Sequence, residues 1–132
     1  MSKLRVEKLQ ELIKEETSQI ILRELKDPRI GFVTVTGVEV TGDLREAKIY
    51  VSLMGSEEAI AASWAGLISS LGFVRRELGK RIRLRFTPEI SFVPDKSLDY
   101  SEHIQKLLDG VKPSANEQVG GDETGGTLSR NG

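Results

Sequence analysis

The sequence predicts an α+β domain of order α-β-β-α-(kink)-α-β-α, with a three-stranded sheet and its helices packed on one face. Three observations carry this prediction. Apolar residues recur at helical spacing in four stretches and alternate with polar residues in three others. Turn-forming residues separate these stretches. The first two strand patterns are joined by a short turn, whereas the third is reached only through helical sequence, so an antiparallel hairpin is followed by a crossover strand.

Residues 4 to 25 lack Gly and Pro and place Val6, Leu9, Ile13 and Ile20 on one stripe, with Leu12 near its edge. Asp27-Pro28 stops this helix. Gly31 to Val40 is rich in Val and Thr, with Val33 and Val35 in one phase and Val38 and Val40 in the other; a β-bulge at Gly37 accounts for the switch. After the turn Thr41-Gly42-Asp43, Ala47, Ile49, Val51 and Leu53 alternate with polar neighbours as a half-buried strand does. Ser56 caps a second helix whose first turn holds Glu57 and Glu58 and whose buried face is Ile60, Trp64, Leu67, Ile68 and Leu71. Gly72 interrupts the pattern, and Val74, Leu78 and Ile82 start a new stripe, so two short helices meet at a kink. Leu84, Phe86, Ile90 and Phe92 share one phase of a third strand, with Arg83 and Arg85 on the other, and Pro88 marks it as an edge. Asp95 and Ser97 lead into a last helix carrying Tyr100, Ile104, Leu107, Leu108 and Val111 on one side.

The chain has 132 residues, 19 Lys+Arg, 20 Asp+Glu and one His, for a formal net charge of -1. That balance excludes coating of nucleic acid by bulk charge. With 38% hydrophobic and 30% charged residues, and neither a membrane span nor a secretory segment, it reads as one soluble globular domain, and the absence of cysteine fits the cytoplasmic location expected of it. Zero cysteines exclude a disulfide framework and a thiolate nucleophile, and a single histidine excludes a multi-histidine metal centre. Residues 112 to 132 carry five glycines and only Ala115, Val119 and Leu128 as apolar side chains, so a folded domain over 1 to 111 is expected to end in a disordered tail.

The positive charge is local. Residues 71 to 85 hold Arg75, Arg76, Lys80, Arg81, Arg83 and Arg85 against Glu77 alone. Arg76, Lys80 and Arg83 fall at i, i+4 and i+7, opposite Val74, Leu78 and Ile82, and Arg85 follows on the same face of the next strand. The result is a cationic ridge suited to phosphates spaced along a nucleic-acid backbone. At Ser70-Leu71-Gly72, a glycine between two helices lets backbone approach a ligand, and N–H groups at the second helix's start can bind a phosphate. Asp27 and Asp43 each sit beside a turn-forming Pro or Gly, and turn chemistry explains them. His103 is read as solvent-facing. Trp64, Phe73, Phe86 and Phe92 fall on apolar stripes and are read as core residues, while Phe32 and Tyr50 lie off the inner phase of their strands. No nucleophile triad, phosphate-binding glycine motif or other catalytic constellation is present, so no enzyme is expected.

The order of elements and several strings resemble the ribosome-binding factor A family. The strings are Arg5-Val6, Lys26-Asp27-Pro28-Arg29-Ile30, Asp43-Leu44 followed by Ala47-Lys48-Ile49-Tyr50-Val51, Gly72-Phe73-Val74-Arg75, and Arg83-Leu84-Arg85 with Pro88-Glu89-Ile90 and Phe92, closing with Asp95 and Ser97. The resemblance implies a type II KH-like fold in a non-catalytic protein that needs no cofactor. It implies docking on the immature small ribosomal subunit and its rRNA, assistance to processing of the rRNA 5′ end, and a link to growth in the cold. Ribosome-associated GTPases acting in assembly or release are candidate further partners, and a monomer is expected. Ordinary KH domains clamp the nucleic-acid backbone with a Gly-x-x-Gly loop, which this chain lacks. The family carries an Ala-x-Gly kink instead, and here Ser70-Leu71-Gly72 stands at that position. Serine keeps the small size and adds a hydroxyl that can cap the following helix or touch a phosphate.

The RNA-contact residues expected from this reading are Arg75, Arg76, Lys80, Arg81, Arg83 and Arg85, with Ser70 and Gly72 shaping the backbone. Arg5, Lys8 and Arg29 are secondary candidates. The competing reading is a protein-interaction adaptor whose ridge docks on an acidic partner.

Overall fold

The computed structural model describes residues 3–95, 97 and 100–110. The tail expected over 112 to 132, and the domain boundary at 111, lie outside the described residues. Helix α1 spans Lys3–Gln19 and buries Leu9, Ile13 and Thr17. The chain then widens into one π-turn, Ile20–Glu24, closed by the Leu25 N–H donating to the Ile20 carbonyl at 3.1 Å. The wider turn keeps Ile20 wholly buried, so the apolar stripe continues past α1 before Leu25 turns extended ahead of Asp27-Pro28.

Strands β1 (Phe32–Val40) and β2 (Glu46–Met54) pair antiparallel, with Val35 opposite Val51 and Gly37 opposite Tyr50. The extra residue of the bulge is therefore Thr36, immediately before Gly37, and it restores the inward phase that Val38 and Val40 need. The 41 to 45 turn holds Leu44 at φ 62, and Asp43 accepts from both the Thr41 hydroxyl (2.7 Å) and the Arg45 N–H (3.1 Å). Both aspartates beside turn residues thus do turn work, since Asp27 likewise accepts the Arg29 N–H at 2.9 Å.

Helix α2 (Glu57–Ser69) starts at Ser56, whose hydroxyl oxygen accepts the Ala59 N–H at 3.1 Å. One residue, Ser70, separates it from α3 (Leu71–Ile82). Strand β3 (Glu89–Pro94) then runs parallel to β2, giving the sheet order β1-β2-β3 with β3 at an edge. This strand is shorter than the alternation suggests. Residues 83 to 88 form a loop, because Arg83 ends α3 in the left-handed conformation at φ 59 and Pro88 has no N–H to enter the ladder. Phe86 is accordingly not a core residue but 77% exposed.

Helix α4 (Glu102–Gly110) buries Ile104 and Leu108, while Leu107 lies at its rim and His103 faces solvent. Just ahead of it, the Tyr100 hydroxyl accepts the Leu53 N–H (2.9 Å) and donates to the Leu53 carbonyl (3.2 Å), satisfying β2 beyond the end of β3. The core lies between the helices and one sheet face, with Trp64, Phe92, Ile13, Ile49, Leu67 and Val74 among its fully buried side chains. Each such burial contributes about 1.5–3 kcal/mol of transfer free energy. On the opposite sheet face, the cross-strand pair Phe32 and Met54 is 80% and 63% exposed, so the helices cover one face. No helix among the described residues is long and apolar enough to cross a membrane.

Candidate nucleic-acid interface

The kink forms because α2 cannot run on past Ser70. Its N–H is shared between the Gly66 and Leu67 carbonyls, both at 3.1 Å, and Val74 opens the next helix by donating to the Ser70 carbonyl at 2.9 Å. The Ser70 hydroxyl does not cap α3, the first of the two roles the sequence offered for it. It donates back to the Leu67 carbonyl at 2.9 Å, a local bond that a serine at a helix end makes readily. With its proton so used, the hydroxyl presents lone pairs, and what Ser70 contributes to the kink is small size.

Gly72 is exposed on the first turn of α3, and a Cβ there would meet only the Arg76 Nη1 at 3.5 Å. The Arg76 guanidinium therefore lies back over the bare glycine backbone. The first N–H groups of a helix lack intrahelical acceptors and sit at the positive end of its dipole. Bare backbone, helix start and guanidinium thus lie side by side.

The six cations of the ridge are not equivalent. Arg81 is 29% exposed and pairs with Glu16 (3.1 Å), Glu24 (3.7 Å) and Glu77 (3.9 Å), tying α3 to α1 and the π-turn. Arg75 pairs with Glu89 at 3.5 Å and donates to the Thr87 and Pro88 carbonyls at 3.3 and 3.4 Å, pinning the 83 to 88 loop. Lys80 is 76% exposed and touches Glu77 at 3.4 Å. Arg76, Arg83 and Arg85 have no ion pair among the described residues, and Arg85 stands 5.5 Å above the Phe86 ring. The expected continuation of the ridge onto a strand does not occur. Arg83 leaves the helical progression in its left-handed conformation, and Arg85 belongs to the loop.

Among the secondary candidates, Arg29 is committed to Asp27 by a two-point contact at 2.6 and 3.0 Å, which holds the Asp27 carboxyl down at about 2. Lys8 is exposed on α1 beside Glu11 and Glu15. Arg5 lines a cavity together with Arg45 and Arg85. In the sequence, Arg45 next to Asp43 reads only as part of a turn. No group of three or more His, Asp or Glu that could hold a metal occurs among the described residues.

A family model described as ribosome-binding factor A matches residues 5–108. The chain belongs to the ribosome-binding factor A family. A curated ribosome-binding factor A from Natranaerobius thermophilus is 54% identical over 108 residues, covering 82% of each chain. The solution structure of a Thermotoga maritima putative ribosome-binding factor A superposes with TM-score 0.62 at 34% identity, over 76% of this chain and 96% of that one. A Thermus thermophilus ribosome-binding factor A homology model, fitted into the cryo-EM map of a 30S complex, matches with TM-score 0.58 at 25% identity, over 70% and 97%. The helices on one sheet face and the kinked α2–α3 pair are those of the family's KH-like fold.

Proposed function

We propose that this protein is a non-catalytic assembly factor that binds the free, immature small ribosomal subunit through its rRNA. The observation that carries the reading is the kink, where the unpaired Arg76 guanidinium lies over the bare Gly72 backbone at the start of α3. Lys80, Arg83 and Arg85 extend the positive potential from that point, and the Thermus thermophilus relative fitted into a 30S complex supports the choice of subunit. Arg75 and Arg81 enter this reading as the residues that fix the shape of the surface, and Ser70 as the small residue that lets the helices meet. In this reading the binding serves late maturation and rRNA 5′-end processing, is linked to growth in the cold, and involves ribosome-associated GTPases in assembly or release. The protein acts as a monomer.

The test is co-sedimentation with free small subunits, large subunits and whole ribosomes, with Arg76→Glu/Lys80→Glu in parallel. Selective binding to free small subunits, lost in the double variant while its folding stability stays within about 0.5 kcal/mol of the wild type, is expected. Binding to all particles alike, or to none, would sink the reading. Binding that survives nuclease digestion of the rRNA would assign the surface to a protein partner.

A further inference from the structure

A second feature lies away from the kink, where the hairpin turn, the start of α1 and the 83 to 88 loop converge on a cavity of about 480 Å³. That volume falls within the roughly 300–1,000 Å³ of small-ligand sites. Leu44 and Leu84 supply apolar lining, Phe86 an aromatic ring, and Arg5, Arg45 and Arg85 the cations. Its two carboxylates are already engaged. Asp43 is held by the Thr41 hydroxyl, the Arg45 N–H and a long contact to the Arg45 guanidinium at 4.0 Å, and Glu89 by Arg75 at 3.5 Å.

Three observations point to one kind of occupant. Phe86 is 77% exposed although a loop residue of that size could fold inward, and the Arg85 guanidinium stands 5.5 Å from its ring centroid. An exposed aromatic ring with a guanidinium beside it is a stacking platform for a planar base. The cations around it match the charge of a phosphate. Finally, two residues beside the cavity, Leu44 at φ 62 and Arg83 at φ 59, adopt a left-handed backbone that costs a side-chain-bearing residue energy.

We propose that this cavity takes one unstacked nucleotide of single-stranded RNA, its base stacked on Phe86 and its phosphate held by Arg5, Arg45 and Arg85. The proposal rests on the RNA-binding reading above and adds a base-binding subsite to it. A paired helix keeps its bases stacked inside, so this subsite distinguishes single strands from duplex.

The test measures binding of the full chain to an eight-nucleotide oligo(A) and to a blunt RNA duplex by fluorescence anisotropy, with Phe86→Ala and Phe86→Trp. Loss of one base stacked on an aromatic ring weakens single-strand binding about 5- to 160-fold. Phe86→Ala is expected to show that loss with oligo(A) and little change with duplex, and Phe86→Trp to restore binding. Because the one native tryptophan, Trp64, is buried, quenching on oligo(A) addition would report the introduced indole. Unchanged oligo(A) binding by Phe86→Ala, an equal loss on duplex, or no oligo(A) binding by the wild type would each overturn the subsite. So would displacement of oligo(A) by polyglutamate at equal charge, which would assign the cavity to an acidic peptide. Failure of the RNA-binding reading itself is read separately, as failure of the wild type to co-sediment with free small subunits.

Discussion

Gly72→Ala separates what the fold needs from what the surface does. The added methyl would sit 3.5 Å from Arg76 Nη1, an ordinary contact, and Gly72 is not in the left-handed region, so the backbone tolerates a side chain. Alanine is favoured over glycine in a helix by about 0.8–1.0 kcal/mol in the interior and less in the first turn. A gain of about 0.5–1 kcal/mol corresponds to a melting temperature higher by roughly 2–8 °C for a domain near this size. Binding should move the other way. The methyl covers the bare backbone, and losing one charge-assisted contact costs about 1.5–3 kcal/mol, roughly ten- to a hundredfold in affinity. Circular-dichroism melting and quantitative co-sedimentation with free small subunits measure the two effects on one preparation. Gly66→Ala is the control, since its Cβ would lie 2.6 Å from Ile30 Cγ1 and 3.4 Å from Asp27 Oδ2. Overpacking of that kind costs about 1–3 kcal/mol, so this variant should melt lower. A Gly72→Ala protein that melts higher and binds as tightly as the wild type would refute the site at the kink. One that melts lower would show that the glycine serves packing.

Two further outcomes follow from the ion pairs. Arg81→Ala leaves Glu16, Glu24 and Glu77 without their shared cation and should destabilise by about 1–2 kcal/mol; thermal melts in low salt and in 1 M NaCl should show the deficit shrinking as salt screens the remaining carboxylates. Asp27, lowered from 3.8 to about 2 chiefly by the Arg29 guanidinium, contributes stability that is fully present above its unfolded value and is lost as pH falls through about 2. Urea midpoints of Asp27→Asn and wild type should therefore differ by a constant amount above about pH 5 and converge between about pH 4 and 2; a gap that persists to pH 2 would contradict the pairing.

The helices and the hairpin could be read from the sequence because their signals are local. Ile60, Trp64 and Leu67 repeat at helical spacing, Ser56 caps, and the valine phase switch beside Gly37 locates the bulge to within one residue. The stretch from Arg83 to Pro88 could not be read this way, because alternation of Leu84 and Phe86 looks the same in a strand and in a loop. What decides it is the left-handed turn at Arg83, a conformation that an arginine does not announce. The division of the ridge was illegible for a different reason. Arg81 is neutralised by Glu16 and Glu24 from the first helical stretch, partners more than fifty residues away in sequence, whereas the nearby Glu89, an acidic neighbour visible in the sequence, pairs with Arg75 among the ridge cations. Counting charge in a window finds a basic segment, but only the fold shows which cations remain available.

The sheet's borders have a further consequence. On one side, β1 carries the Thr36 bulge, and the Val40 N–H donates to the Gln10 side chain of α1 at 3.0 Å. On the other, β3 is six residues long, preceded by Pro88 and ended by Pro94. Bulges, prolines and short strands interrupt the continuous ladder that an incoming strand would have to copy. A partner therefore gains little by adding a strand to this sheet, and copies of the chain have little purchase for edge-to-edge aggregation at high concentration. Recognition is left to the helix starts, the loops and the uncovered sheet face.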